Sequence, residues 1–377
     1  MGQSMPKRWI TAGLLGALLM GTVPADWNTI TVFAASDNAY VTTVKEVQQE
    51  MAEGLGARKT SMTIKYKGNT KNLESLLKKA INGALDSDPY TKYIVDRYTY
   101  SWRGTSGSAK INLSVTYREN AEQSAYVTNR VSGILKDIIS PGMNDHEKVK
   151  AIHDFVVQNL KYDEGLKKYT AYEGLRTGEA VCQGYTLLTY KLLEGAGINN
   201  VIVEGTAGGQ LHAWNLVELE KKWYHLDTTW DDPISAPREQ ISYAYYLRTD
   251  EQMRQDHQWI SKYPAASSLY RETLSTLVNK GGAQSSGYKK LQKQLGYHLY
   301  DPSAAVSSSA GLQTKVRQEL QSGGLTVTVR YSGTEQELLQ DLESLYDLSA
   351  SLDNIQYLSK PLEGTEDLRV EIHWETR

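Results

Sequence analysis

Apolar positions recur along this chain at two periods, and the periods alternate in blocks. Over 40–53, Val41, Val44, Val47 and Met51 return every three or four residues, which predicts a helix that Gly54 and Gly56 stop. Over 60–67 the period falls to two. Met62, Ile64 and Tyr66 face one way and Thr63, Lys65 and Lys67 the other, as in a half-buried strand. Helical spacing resumes over 72–84 through Leu73, Leu76, Leu77, Ala80 and Ile81. The stretches 93–102 and 110–118 alternate again, and the Gly/Ser-rich residues 104–108 join them as a hairpin.

The far end runs in the same order: a short helix near 314–320, a strand over 325–331, a helix over 335–346 and a strand over 368–374. Tyr66-Lys67-Gly68 precedes the first inner helix as Tyr331-Ser332-Gly333 precedes the second. The two ends are expected to be copies of one small α+β module. Strand, turn and helix is also a common order that recurs by chance.

The middle differs. An amphipathic helix over 126–139 stops at Pro141-Gly142, and Asn144 with Glu147 forms a capping box for the next helix, which buries Val149, Ile152, Val156 and Leu160. Tyr185, Leu188, Leu192 and Leu193 define a further helix that Gly195 and Gly197 end. Strands follow over 201–204, 212–219 and 223–227, separated by a glycine-rich turn over 205–210 and by Lys221-Lys222. Residues 265–309 turn rich in Ser, Ala, Gly and Lys, with helical pieces over 269–278 and 287–295, and read as a partly flexible connector. The expected segments are 1–34, 36–122, 123–263, 264–312 and 313–377.

The first segment reads as an export signal, because Lys7 and Arg8 precede an apolar run over 9–23 that is short for a bilayer span. Val23-Pro24-Ala25 and Val32-Phe33-Ala34 both offer a cleavage site, the second preferred. The expected location is extracellular or cell-wall associated; an uncleaved membrane anchor is the alternative. With 377 residues, 40% apolar residues and a net charge of −3, the chain can build real cores and has no global basic field to attract nucleic acid. The 25 tyrosines against two phenylalanines are expected mostly on solvent-facing strands.

The chain has one cysteine, so no internal disulfide forms and stability must come from packing. A lone cysteine is most often a small buried hydrophobe. Cys182, however, stands where a helix begins, and a thiol there meets the positive end of the backbone dipole and free amides. Those amides can hold an oxyanion as well. His212 shares a strand face with Trp214, opposite Asn215, and stands near a mirrored position to Asp227 about the Lys221-Lys222 turn. Antiparallel pairing would bring imidazole and carboxylate together, as a base and its orienter require.

Three motifs, Ala180-Val181-Cys182-Gln183-Gly184-Tyr185, His212-Ala213-Trp214-Asn215 and Trp223-Tyr224-His225-Leu226-Asp227-Thr228-Thr229-Trp230-Asp231-Asp232-Pro233, together resemble the bacterial transglutaminase-like superfamily, in the branch related to the kyphoscoliosis-peptidase type. The resemblance covers 145–232. It implies an α+β, papain-like core, with a cysteine-bearing helix packed on an antiparallel sheet that carries His and Asp, and it leaves the flanking modules open. It also implies a nucleophile at Cys182, a general base at His212 and an orienting carboxylate at Asp227. In animal transglutaminases an upstream tryptophan supports the oxyanion. No tryptophan lies between Trp102 and Cys182 here, and Tyr162 is the polar replacement, beside the amide of Cys182.

Gln183, Tyr185 and Trp214 are further candidates for substrate contact, although packing explains the first two equally well and Trp214, like Trp223 and Trp230, reads as core or cleft wall. His225 reads as structural, and Asp231 and Asp232 as turn caps. His146, His153, His257, His298 and His373 show no metal-ligand spacing, so neither a metal nor a cofactor is expected. The function implied is acyl transfer on amide bonds of peptides, proteins or cell-wall stems by a secreted thiol hydrolase. Glutamine–amine cross-linking and a catalytically idle binding module are the alternatives.

Overall fold

The structure is a computed structural model that describes residues 10–13, 40–232, 241–348 and 352–376. The export signal expected over 1–34 lies outside the described residues except for 10–13, and so does Pro233. The chain divides into two compact units, Met1–Tyr270 and Arg271–Arg377, both of mixed α and β structure.

The first unit opens with β1 (Ile10–Gly13), α1 (Val44–Gly56), β2 (Ser61–Lys67), α2 (Leu73–Asp86), α3 (Pro89–Ile94), β3 (Val95–Thr105) and β4 (Ser108–Tyr117). Its sheet has the order β1-β3-β4-β2. α1 starts later than its apolar spacing predicts because Thr43 caps it: the Thr43 side chain accepts from the Glu46 amide, and the Glu46 carboxylate accepts from the Thr43 amide. Val41 instead bridges Tyr66 on β2. α3 has no apolar stripe to announce it. Pro89 at its first turn and the Asp88 cap on Tyr90 N set it. Val47, Met51, Leu77, Ile81, Ile111 and Leu113 form the core between helices and sheet.

The same unit continues with α4 (Ala121–Ile138), α5 (Asp145–Asn159), β5 (Lys161–Tyr162), α6 (Ala171–Thr177), β6 (Glu179–Ala180), α7 (Cys182–Gly195), β7 (Asn200–Ala207), β8 (Gln210–Leu219), β9 (Lys222–Leu226), α8 (Asp250–Met253) and β10 (His257–Gln258). The sheet is antiparallel, in the order β10-β7-β8-β9. α7 is sheathed by α4, α5 and α6 and by β7 and β8, so Leu187, Leu188, Leu192 and Leu193 are all buried. The β7–β8 hairpin closes on Gly208-Gly209, with φ of +55° and +81°, a two-residue turn that needs glycine's freedom. The β8–β9 hairpin closes on Glu220-Lys221, also left-handed, where side chains bear that strain.

The second unit contains α9 (Tyr270–Lys280, from its second residue), α10 (Ser285–Gln294), β11 (Ala305–Val306), α11 (Ser309–Gln321), β12 (Thr326–Tyr331), α12 (Glu335–Glu343), β13 (Leu352–Pro361) and β14 (Leu368–Thr376). Its sheet has the order β11-β12-β14-β13. Sequence periodicity misses β13, an edge strand on which the adjacent Tyr357 and Leu358 are both exposed, which erases the alternation. The stretch read as a flexible connector holds α9 and α10 and buries Leu274, Leu291 and Leu299.

The tyrosines are a correction. Tyr90, Tyr185, Tyr224, Tyr246 and Tyr331 are among the largest fully buried side chains. Several place the hydroxyl on a carboxylate: Tyr90 on Glu119, Tyr185 on Asp232 and Tyr331 on Asp341. They fill core volume that phenylalanine usually fills and satisfy the hydroxyl internally.

Gly184 tests how tightly α7 is seated. Alanine in a helix interior is ordinarily favoured over glycine by about 1 kcal/mol. Here a Cβ would stand 2.6 Å from Ala180 Cβ and 3.1 Å from the Thr170 carbonyl oxygen. Overpacking, at about 1–3 kcal/mol, outweighs the propensity gain. Gly184→Ala is expected to lower the urea midpoint, and an unchanged or higher midpoint would show that the entry to α7 gives way.

Candidate active site

The chain is threaded into the site by two short parallel strands. β5 pairs with β6 so that Tyr162 stands beside Ala180, and two residues later α7 begins at Cys182. Val181 is the extended N-cap and makes no side-chain capping bond. The first amides of a helix have no intrahelical acceptor, so those of Cys182 and Gln183 are available at the helix mouth. Cys182 itself is partly exposed and free of any disulfide.

β8 delivers His212. Its Nε2 lies 2.6 Å from Asp227 Oδ2, and the Cys182 side chain is near enough to help raise its pKa. With Nε2 committed to the carboxylate, Nδ1 is the nitrogen left to serve the thiol. The β8–β9 register pairs Asn215 with Leu226, so Asp227 falls level with Trp214 and His212 reaches it along the diagonal. The His212 ring lies nearly parallel to Trp214 at 5.7 Å and tilts against Trp230 at 6.2 Å.

Burial works against charge on both partners, and the interaction between them overcomes it. Burial would lower the His212 pKa, but Asp227 and then Cys182 raise it to about 10. Burial would raise Asp227, but His212 and His257 hold its carboxyl well below the usual carboxylate range. Asp227 Oδ1 also accepts from the amides of Thr229 and Trp230, at 3.0 and 3.1 Å.

The remaining candidates separate. Tyr162 is half-buried, and its hydroxyl pKa is raised by burial and then by Cys182, which puts it within electrostatic reach of the thiol. Gln183 donates its side-chain amide to the Tyr93 carbonyl at 3.1 Å, so that N–H group is committed to the protein. Tyr185 and Trp214 are both buried, in keeping with the packing alternative for each. The Tyr185 hydroxyl donates to Asp232, and Trp214 Nε1 donates to His225 Nδ1 at 2.8 Å. His225 passes on to Asp250 at 2.8 Å, a structural link between β9 and the start of α8.

Asp231 is also corrected. It does more than cap a turn: fully buried, it accepts from His153 Nε2, the Ser242 hydroxyl and the Tyr245 amide. His153 and His257 lacked any ligand spacing in the sequence. His257, on β10, places its Nε2 3.0 Å from the same Asp227 oxygen that His212 uses. No periodic signal marks a two-residue strand, so only the fold brings it there.

His212, Asp227 and His257 are the one grouping among the described residues with spacing a metal could use, each offering an atom within 4.8 Å of the others. The 2.6 and 3.0 Å contacts are lengths of charge-assisted hydrogen bonds. Such bonds need protons on the nitrogens that a metal needs bare, so the grouping is read as a hydrogen-bonded cluster.

Comparison with known proteins agrees with this middle region. Residues 132–228 match the model of the transglutaminase-like superfamily, so the segment that carries Cys182, His212 and Asp227 is transglutaminase-like. Kyphoscoliosis peptidase of Mus musculus is 26% identical over 155 residues, and that of Homo sapiens is 26% identical over 156. Each match covers 36% of this chain and 23% of the relative, so the chain spans about a quarter of the length of the curated relatives it matches. A solved structure described as a TGase is 16% identical, covering 49% of this chain and 55% of its own with a TM-score of 0.28.

The opposed pKa shifts predict a pH window. The depressed carboxyl of Asp227 contributes stability above the unfolded value of about 4 and loses it as pH falls. The raised imidazole contributes fully below about 6.5 and loses its share as pH rises toward about 10. The stability difference between the native chain and Asp227→Asn should peak between about pH 4 and 6.5 and shrink on either side. Urea unfolding across pH measures it, and a flat difference would show that the pair is not coupled to folding.

Proposed function

We propose that this chain is a secreted thiol enzyme that opens amide bonds of peptides or proteins through a Cys182 thioester. The observation that carries this reading is Cys182 at a helix start, within electrostatic reach of His212, which is itself bonded to buried Asp227. The word peptidase in the names of the curated relatives supports hydrolysis.

In this mechanism His212 Nδ1 holds the thiol proton and the Cys182 thiolate adds to the amide carbonyl carbon. The oxyanion formed is met by the Cys182 amide, with the Tyr162 hydroxyl as a second donor. As the C–N bond breaks, Nδ1 gives its proton to the leaving nitrogen and an acyl thioester remains. Water then attacks the acyl carbon and loses a proton to Nδ1. The C–S bond breaks, the acid departs, and the thiolate is restored. An amine in place of water at this step gives cross-linking, so the two alternatives differ only in which nucleophile reaches the thioester.

The finer architecture belongs to the same proposal: residues 36–122 and 313–377 are read as two copies of one module, with a role in substrate or cell-wall recognition. Helix, strand, helix and an antiparallel strand pair in each support that reading. An N-terminal export signal and an extracellular location complete it, on the Lys7-Arg8 and apolar pattern.

Cys182 is expected to alkylate faster than a model thiol at neutral pH. His212→Ala should slow that reaction at least about tenfold, because thiolate formation loses its proton acceptor. An ordinary thiol rate would remove the catalytic reading and leave the binding module. Tyr162→Phe should lower kcat about a hundredfold with little change in KM if its hydroxyl meets the oxyanion, and unchanged kcat would discard that role. Incubation with glutamine-containing peptides and a primary amine, read by mass, separates water addition from amine addition. Absence of any Cys182-dependent product would favour the idle module.

A further inference from the structure

We propose that His257 is a positioning residue that tempers the base: by donating to the Asp227 oxygen that His212 also uses, it shares that oxygen's charge and keeps the His212 proton transferable. The inference rests on the acyl-transfer reading of Cys182, His212 and Asp227.

Asp227 distributes its two oxygens unequally. Oδ1 takes the Thr229 and Trp230 amides, whereas Oδ2 takes His212 Nε2 at 2.6 Å and His257 Nε2 at 3.0 Å. Two ring donors therefore compete for one oxygen. Both His257 and Asp227 are buried, so little solvent damps the competition. Without His257, the charge on Oδ2 would fall on His212 alone and hold its proton more tightly. Even with His257 present, burial being outweighed by Asp227 and Cys182, the His212 pKa stands at about 10. A base held far above the working pH is a poor acid toward a leaving amine, so a further rise slows transfer.

The fold keeps His257 in this role from several sides. Its Nδ1 faces Asp256 Oδ1 at 2.5 Å, and Asp256 Oδ2 accepts the Tyr245 hydroxyl at 2.6 Å. On β10 it is paired with Ala207 of β7, and the Asp256 carbonyl accepts the Gly208 amide at 3.1 Å. The rings of Trp230, Trp214, Tyr245 and His212 surround it at 4.7–5.5 Å. The charged or titratable groups facing His212 are Asp227, Cys182 and His257. Those facing His257 are Asp227, Asp256, Tyr245, His212 and, at longer range, His225. Among these, Asp227 and His257 alone share an acceptor with His212 or act as that acceptor.

The test uses the full chain with ¹⁵N-labelled histidine, with the His212 signal assigned by its loss in His212→Asn. His257→Phe is expected to raise the His212 midpoint by about half a pH unit, seen as a larger imidazolium fraction at a fixed pH near 10. His257→Gln keeps an amide donor and should return the midpoint toward the native value. The basic limb of Cys182 alkylation should move with it. Asp256→Asn alters a partly exposed side chain and weakens the hold on Nδ1, so a smaller rise is expected; it carries the test if His257→Phe does not fold. An unchanged or lowered midpoint in the folded variants overturns the proposal, as does a uniform loss of alkylation with an unmoved pH profile. A native Cys182 that alkylates at an ordinary thiol rate would instead defeat the enzymatic reading, while the His212 titration still decides the role of His257.

Discussion

A carboxylate removed from water has to be surrounded by donors, and the middle of this protein is built to surround Asp227. Its side chain is 1% exposed, yet it accepts from two histidines and two backbone amides. Such burial costs several kcal/mol per ion unless partners offset it, so any element that supplies a donor is tied to the position of Asp227. β8 supplies His212, β10 supplies His257, and the turn after β9 supplies the amides of Thr229 and Trp230. The geometry around Asp227 and the closure of the sheet are thus one constraint, and a change that moves one strand end is felt at His212.

The same solution recurs one turn later. Asp231 is fully buried and pushed up by burial, while His153, the Tyr245 amide and Ser242 offset it. His153 also contacts Asp154, whose Oδ1 accepts the Tyr243 hydroxyl, and this ties α5 to the loop that follows the sheet. Three buried tyrosines, Tyr90, Tyr185 and Tyr331, extend the pattern, because their hydroxyls reach inward to a carboxylate. With no disulfide available to a single cysteine, paired polar groups and packed aromatics hold the site in place.

Much of the fold was legible because most elements obey a period. α2, α5 and β2 follow their apolar spacing, and the Asn144–Glu147 capping box stands where a short side chain followed by an acid three residues later predicts it. Other elements were invisible for definite reasons. α3 is set by Pro89 and Asp88, not by a stripe, β13 is an edge strand with both faces exposed in part, and β5, β6 and β10 are two residues long. Tyr185 and Trp214 looked able to touch substrate only because a motif does not say which face of an element is inside.

The sequence by itself determined the thiol at a helix start, the imidazole on one strand and the carboxylate at the end of the next, and their likeness to the transglutaminase-like pattern. These depend on residue type, local period and order, which are properties of short stretches. Only the tertiary structure decided that His212 meets Asp227 on a diagonal, that His257 competes for the same oxygen, and that Asp231 closes a buried network with His153. Those contacts join residues between 15 and 78 positions apart. Hydrogen-bond distance between groups so separated is fixed by the packing of whole elements, and no local pattern in the chain encodes it.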